Sequence, residues 1–223
     1  MSEALGTLDA PVLVLADLDG TRPTDPALEL VAAARTLTGG DGDVVALTLG
    51  PVEAEASAAL AAAGANRLLV ADLGGERAQA AAGADAVVAA VHEVAPGAVL
   101  VSSDYRGKEI AGRAAILLDS AASSDLADLR LSEGADAITA SKLVLSGSWT
   151  TTSALALGGP APVLVIRPGA YEPLSDGVAE LAPEAIDVAP AAESTSVELV
   201  ESERTAAAAG PELTEARTVV VGG

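Results

Sequence analysis

The sequence predicts an α/β domain with a mostly parallel sheet, helices on both faces and an added antiparallel hairpin. Three observations predict it. Short strands that are apolar throughout alternate with Ala-rich helical stretches, as in sheets covered on both sides. The pattern then breaks after Asp119 into Thr/Ser/Val-rich alternation linked through a glycine. Finally, half of the 223 residues are hydrophobic and a fifth are charged, the composition of a folding chain.

The elements follow in order. Val12–Ala16 reads as a buried strand. Pro26 opens a helix, with Asp25 as a plausible N-cap, and Gly39-Gly40 ends it. Val44–Leu49 is a second strand, Glu53–Ala63 a second helix ended by Gly64, and Arg67–Ala71 a third strand. Glu76–Val94 is helical, with Gly83 as a weak spot, and Ala98–Val101 is a fourth strand. Gly107–Leu118 is the fourth helix. Asp136–Leu145 and Trp149–Leu157 form the hairpin, and Ala161–Arg167 is a core strand stopped by Pro168-Gly169. From Tyr171 onward the character changes again: residues 171–223 hold 11 acidic and 2 basic residues. Residues 171–210 read as a solvated acidic linker, with Val197–Val200 as a possible edge strand. Residues 216–223 read as a strand that starts a new unit.

Alanine occurs 51 times, and the aromatics are Tyr105, Trp149 and Tyr171. The core must therefore come from Val, Leu, Ile and Ala, each adding modestly. The net charge is −20, and the only lysines are Lys108 and Lys142. Such a surface repels phosphate backbones, so nucleic acid is not an expected partner. The chain has no cysteine, which excludes disulfides, thiolate metal sites and cysteine nucleophiles. His92 is the single histidine, so a triad or zinc site would depend on it alone. No signal peptide and no apolar run long enough for a membrane span is read, which gives a cytoplasmic protein with no membrane insertion as the expectation.

Walker, G-x-G-x-x-G and G-x-S-x-G patterns are absent. No catalytic residue and no metal ligand is therefore expected. His92 reads as a helix-surface or packing residue. Asp17 and Asp19 follow the first strand, where ligands sit in open α/β sheets, so a metal or ribose role stands beside a plain turn at Asp19-Gly20. Ser123, Ser124, Asp125 and Asp128 read as caps and turn formers. The densest signal is Ser102–Arg113. Its serines, backbone N–H groups, Arg106 and Lys108 could hold an anion or a partner's carboxylates. Ordinary loop capping is the competing reading, with a nucleotide site third.

Four blocks, in order, resemble the alpha subunit of the electron transfer flavoprotein. They are Val12–Asp17 with the helix pattern Leu30–Arg35; Ala63–Ala71; Arg106–Ala115 with Ser124-Asp125 downstream; and Pro162–Ala170 followed by Pro211–Ala216 and Val219–Gly223. The resemblance implies an adenine nucleotide alpha hydrolase-like fold in residues 1–170, a linker over 171–210, and in 211–223 the first strand of a truncated FAD-binding domain. It implies electron transfer from acyl-CoA and related dehydrogenases to a quinone oxidoreductase, not turnover chemistry. It implies a heterodimer with a beta subunit that carries AMP. FAD would be held mostly by a domain beyond this chain, of which Gly222 and Gly223 would be the opening turn. Arg106, Gly107, Lys108 and Arg113 are the expected subunit or domain contacts. The alternative is a nucleotide-binding module of the universal stress protein or ATP pyrophosphatase type, which shares the fold.

Overall fold

The computed structural model describes residues 7–39, 42–73, 79–175, 180–197, 200–201 and 216–222. Its elements are β1 Val12–Leu15, β2 Leu18–Asp19, β3 Arg22–Pro23, α1 Asp25–Thr38, β4 Val44–Thr48, α2 Ala54–Ala62, β5 Arg67–Val70, α3 Ala80–Val94, β6 Ala98–Ser102 and α4 Tyr105–Leu117. They continue as β7 Ala122–Leu126, β8 Asp128–Leu131, β9 Ala137–Val144, β10 Trp149–Ala156, β11 Val163–Ile166 and β12 Pro183–Ala185.

Seven strands make one sheet in the order β12-β5-β4-β1-β6-β11-β7, and every pair in it is parallel. The central strands β1, β4, β6 and β11 are buried along their whole length. Alternate side chains feed two cores. Val12, Val14, Leu100 and Leu164 pack with α1, α2 and the small sheet. Leu13, Leu15, Val99 and Val163 pack with α3 and α4. The expected α/β architecture, helices on both faces, is therefore the observed one.

The local causes differ from the sequence reading at several points. Thr24, not Asp25, caps α1: its hydroxyl accepts the Ala27 N–H at 3.3 Å, and Gly39 ends the helix at φ 66°. Helix α4 starts at Tyr105, earlier than Gly107, because Asp104 accepts the Gly107 N–H at 2.6 Å. Gly83 is a close-packing position: a Cβ there would lie 2.9 Å from Ile110 Cδ1 and 3.1 Å from Leu49 Cδ1. Ser123, Ser124 and Asp125 lie in β7, and Asp128 opens β8, so these residues belong to strands and are not a set of caps. The hairpin forms as expected from β9 and β10, and β8 joins it to complete a three-stranded antiparallel sheet.

Residues 180–197 run along the sheet as a strap. Strand β12 pairs with β5, and Arg67 holds Glu184 at 2.7 Å. The Ser57 hydroxyl donates to the Leu181 carbonyl at 2.5 Å and accepts the Leu181 N–H at 3.1 Å. The Ala191 N–H donates to Asp85 at 2.9 Å. The edge strand thus lies at 183–185. The stretch 197–200 expected to supply it includes residues outside those described. The helix start expected at Glu76 and the block Pro211–Glu215 also lie outside the described residues. Ala216–Gly222 carries no strand, with Val220 and Val221 exposed.

Tyr171 ties the chain after β11 to the small sheet, its hydroxyl accepting the Leu129 N–H at 2.8 Å. Burial pushes this phenol up to about 12, against a smaller pull from that N–H. An unfolded chain releases the proton near pH ~10, so between the two values the unfolded state binds fewer protons and stability falls as pH rises. We expect urea melts to show this alkaline loss in the native chain, and Tyr171→Phe to flatten it.

Candidate functional site

The strands added after β1 go one way across the sheet, through β4 and β5. Those after α3 go the other way, through β6 and β11. The order therefore reverses between β1 and β6, and open α/β sheets bind ligands at the carboxyl ends of the strands at such a point. Asp17 follows β1 and Ser102–Asp104 closes β6, so the signals singled out in the sequence do converge there.

The chain fills this crevice with its own groups. Arg106 Nη1 lies 2.5 Å from Asp17 Oδ1, a pair with side chains only 11% and 24% exposed. That pair spans the reversal from the end of β1 to the first turn of α4. Asp104 occupies the helix N-terminus as its cap. Gly107 lets α4 descend onto β6, since a Cβ there would sit 2.0 Å from the Ser102 carbonyl oxygen. Ser102 is buried, and its hydroxyl has no hydrogen-bond partner among the described residues. Asp19 lies in the β2–β3 ribbon, whose turn uses Gly20 at φ 61°, as the turn reading expected. His92 is exposed in the last turn of α3. Among the described residues no cluster of His, Cys, Asp or Glu is arranged to hold a metal ion.

The other expected contact residues have separate tasks. Lys108 Nζ lies 2.9 Å from Asp125 Oδ1, and the Ser103 hydroxyl donates to the same oxygen at 2.7 Å. Lys108 and Ser103 hold the Asp125 carboxyl below the usual carboxylate range. Arg113 reaches the strap: its Nη2 lies 3.6 Å from Asp85 and 3.9 Å from Glu193, and it donates to the Ser194 hydroxyl at 3.3 Å. Gly222 borders open space, and Gly223 lies outside the described residues. Gly222 gives a flavin no cradle, and the crevice is taken by the Arg106–Asp17 pair, so the described residues do not fit FAD.

Sequence reasoning missed one surface. Strand β10 is paired with β9 over eight residues, Trp149 to Ala156, and its other edge has no partner strand among the described residues. It is exposed almost throughout and carries no charge. Natural edges are normally blunted by charge, proline or bulges. The Thr-rich alternation was visible in the sequence, but which edge stayed open depended on β8, which was not.

This is an α/β domain whose crevice at the reversal of the sheet holds an internal ion pair and whose small sheet has an uncharged edge. The family model for the electron transfer flavoprotein domain matches residues 12–207, and the chain belongs to that family. The family consists of electron carriers that work with redox partners. Comparison with curated proteins gave no match.

Proposed function

We propose that this chain is the scaffold and beta-subunit-binding domain of an electron transfer flavoprotein alpha subunit. One observation carries the proposal: the uncharged, unblunted edge of β10, which a strand of a second subunit can extend by backbone pairing. The alpha assignment draws its support from the Arg106–Ala115 run and the Pro211–Gly223 pattern. In this reading the complete heterodimer passes electrons from acyl-CoA and related dehydrogenases to a quinone oxidoreductase. FAD supplies the electron chemistry from a site built by groups other than those described here, and AMP belongs to the beta subunit. The residues of this chain position subunits and do not react. A nucleotide-binding module is the weaker reading, because Arg106 and Asp17 satisfy each other in the crevice.

Co-expression with a beta subunit, followed by size-exclusion chromatography and flavin absorbance, tests the proposal. A heterodimer is expected. Lysine at both Thr150 and Thr152 should weaken it by about tenfold or more while leaving the fold intact. Failure to associate would overturn the reading. Stoichiometric flavin on the isolated chain would overturn the placement of the cofactor.

A further inference from the structure

The two lysines of this chain, in a protein of net charge −20, both act on one carboxylate, that of Asp125. Lys108 is on the first turns of α4 and pairs with Asp125. Lys142 is on β9, and its charge also acts on Asp125. Strand β9 runs beside the junction of β7 and β8 that follows Asp125, the Ala127 N–H donating to the Ser141 carbonyl at 2.8 Å.

Two of the three aromatics flank the lysines. Tyr105 is 97% exposed and three residues before Lys108, on the same side of α4. Trp149 is 66% exposed; it pairs with Val144 while Thr151 pairs with Lys142, which makes Trp149 and Lys142 diagonal neighbours on one face of the hairpin. Exposed Trp and Tyr near cations are the composition of an interface centre.

The group that answers these cations is held in an unusual way. In β7, Ser124 and Asp125 stand opposite the single residue Val165, a bulge in a parallel pair, where bulges are rare. Asp125 has φ 60°, a left-handed backbone that costs a non-glycine residue free energy. The bulge re-aims an exposed carboxylate onto Lys108 and Ser103.

We propose that Lys108 and Lys142 receive a carboxylate-bearing segment of a partner polypeptide, which takes over the contacts that Asp125 makes in the free chain. A carboxylate already fits the site, and the flanking aromatics supply apolar contact. Nucleic acid fits less well, since its affinity is built from several cations releasing counterions and this site offers two. The proposal does not rest on the pairing of β10 and is tested on the isolated chain.

The chain offers its own reporters: one tryptophan for fluorescence, and two lysines whose labelled ε-carbons give two NMR signals. The probe is an acetylated oligoglutamate peptide, with inorganic phosphate and a thymidine oligonucleotide as comparisons. Saturable shifts of both lysine signals and of Trp149 emission are expected with the peptide. Asp125→Asn should tighten binding about fivefold by removing the internal competitor. Joint Lys108→Ala and Lys142→Ala should weaken it about tenfold. No saturable response, an unchanged affinity in Asp125→Asn, or an equal response to phosphate or the oligonucleotide would each overturn the proposal. The gain in Asp125→Asn cannot be mimicked by a variant that fails to fold.

Discussion

Gly107→Ala should cost this chain about 3 kcal/mol, while Gly112→Ala on the same helix should stabilise it by about 0.5–1 kcal/mol. At Gly107 the new Cβ would meet the Ser102 carbonyl oxygen at 2.0 Å and Val101 Cγ1 at 3.1 Å. The first obstacle is backbone, so no rotamer change relieves it, and α4 must lift away from β6. At Gly112 a Cβ meets nothing within 4 Å, so only the helical preference for alanine is felt. Denaturant melts of the two variants give opposite signs for the same chemical change. Equal effects at the two positions would mean that α4 does not descend onto β6 at Gly107.

Arg106→Met is expected to destabilise by about 3 kcal/mol, because it strands a part-buried Asp17 carboxylate at the reversal of the sheet. Asp17→Asn in the same chain should recover much of that loss, since the unpaired charge is then gone. A double-mutant cycle on urea midpoints measures the coupling. Additive effects would show that the pair does not hold the crevice together. The same cycle bears on function: if the crevice were a ligand site, Arg106→Met would instead abolish a binding event and leave stability nearly unchanged.

Much of the architecture could be read from residues alone, because the strands of the main sheet are buried on both faces and announce themselves as unbroken apolar runs. Val12–Leu15 and Val163–Ile166 are examples. Helix ends were legible where a glycine takes a left-handed backbone, as at Gly39. What escaped was half-polar or short. Strand β7 reads Ala-Ser-Ser-Asp-Leu and lies at a sheet edge, where solvent tolerates serine and aspartate, so composition pointed to turns. Strand β12 is Pro-Glu-Ala and exposed, held by Arg67 and by contacts on either side and not by any strand preference of its own. The site followed the same rule. Arg106, Lys108 and Arg113 could be singled out by local density of charge, and Gly107 by its place in the Arg106–Ala115 run. Their partners Asp17, Asp125 and Asp85 come from distant elements, and only the fold brings them together.

The order in which the strands are made differs from the order in which they lie. Strand β11 sits between β6 and β7, yet it is synthesised after β7, β8, β9 and β10. During synthesis β7 has no place in the sheet until β11 emerges and inserts. Until then β6, Ala-Val-Leu-Val-Ser, is an apolar edge without a single charge. A nascent chain paused before Val163 would therefore expose its stickiest strand, and the acidic character of the whole molecule, by mutual repulsion between chains, guards against aggregation over that interval.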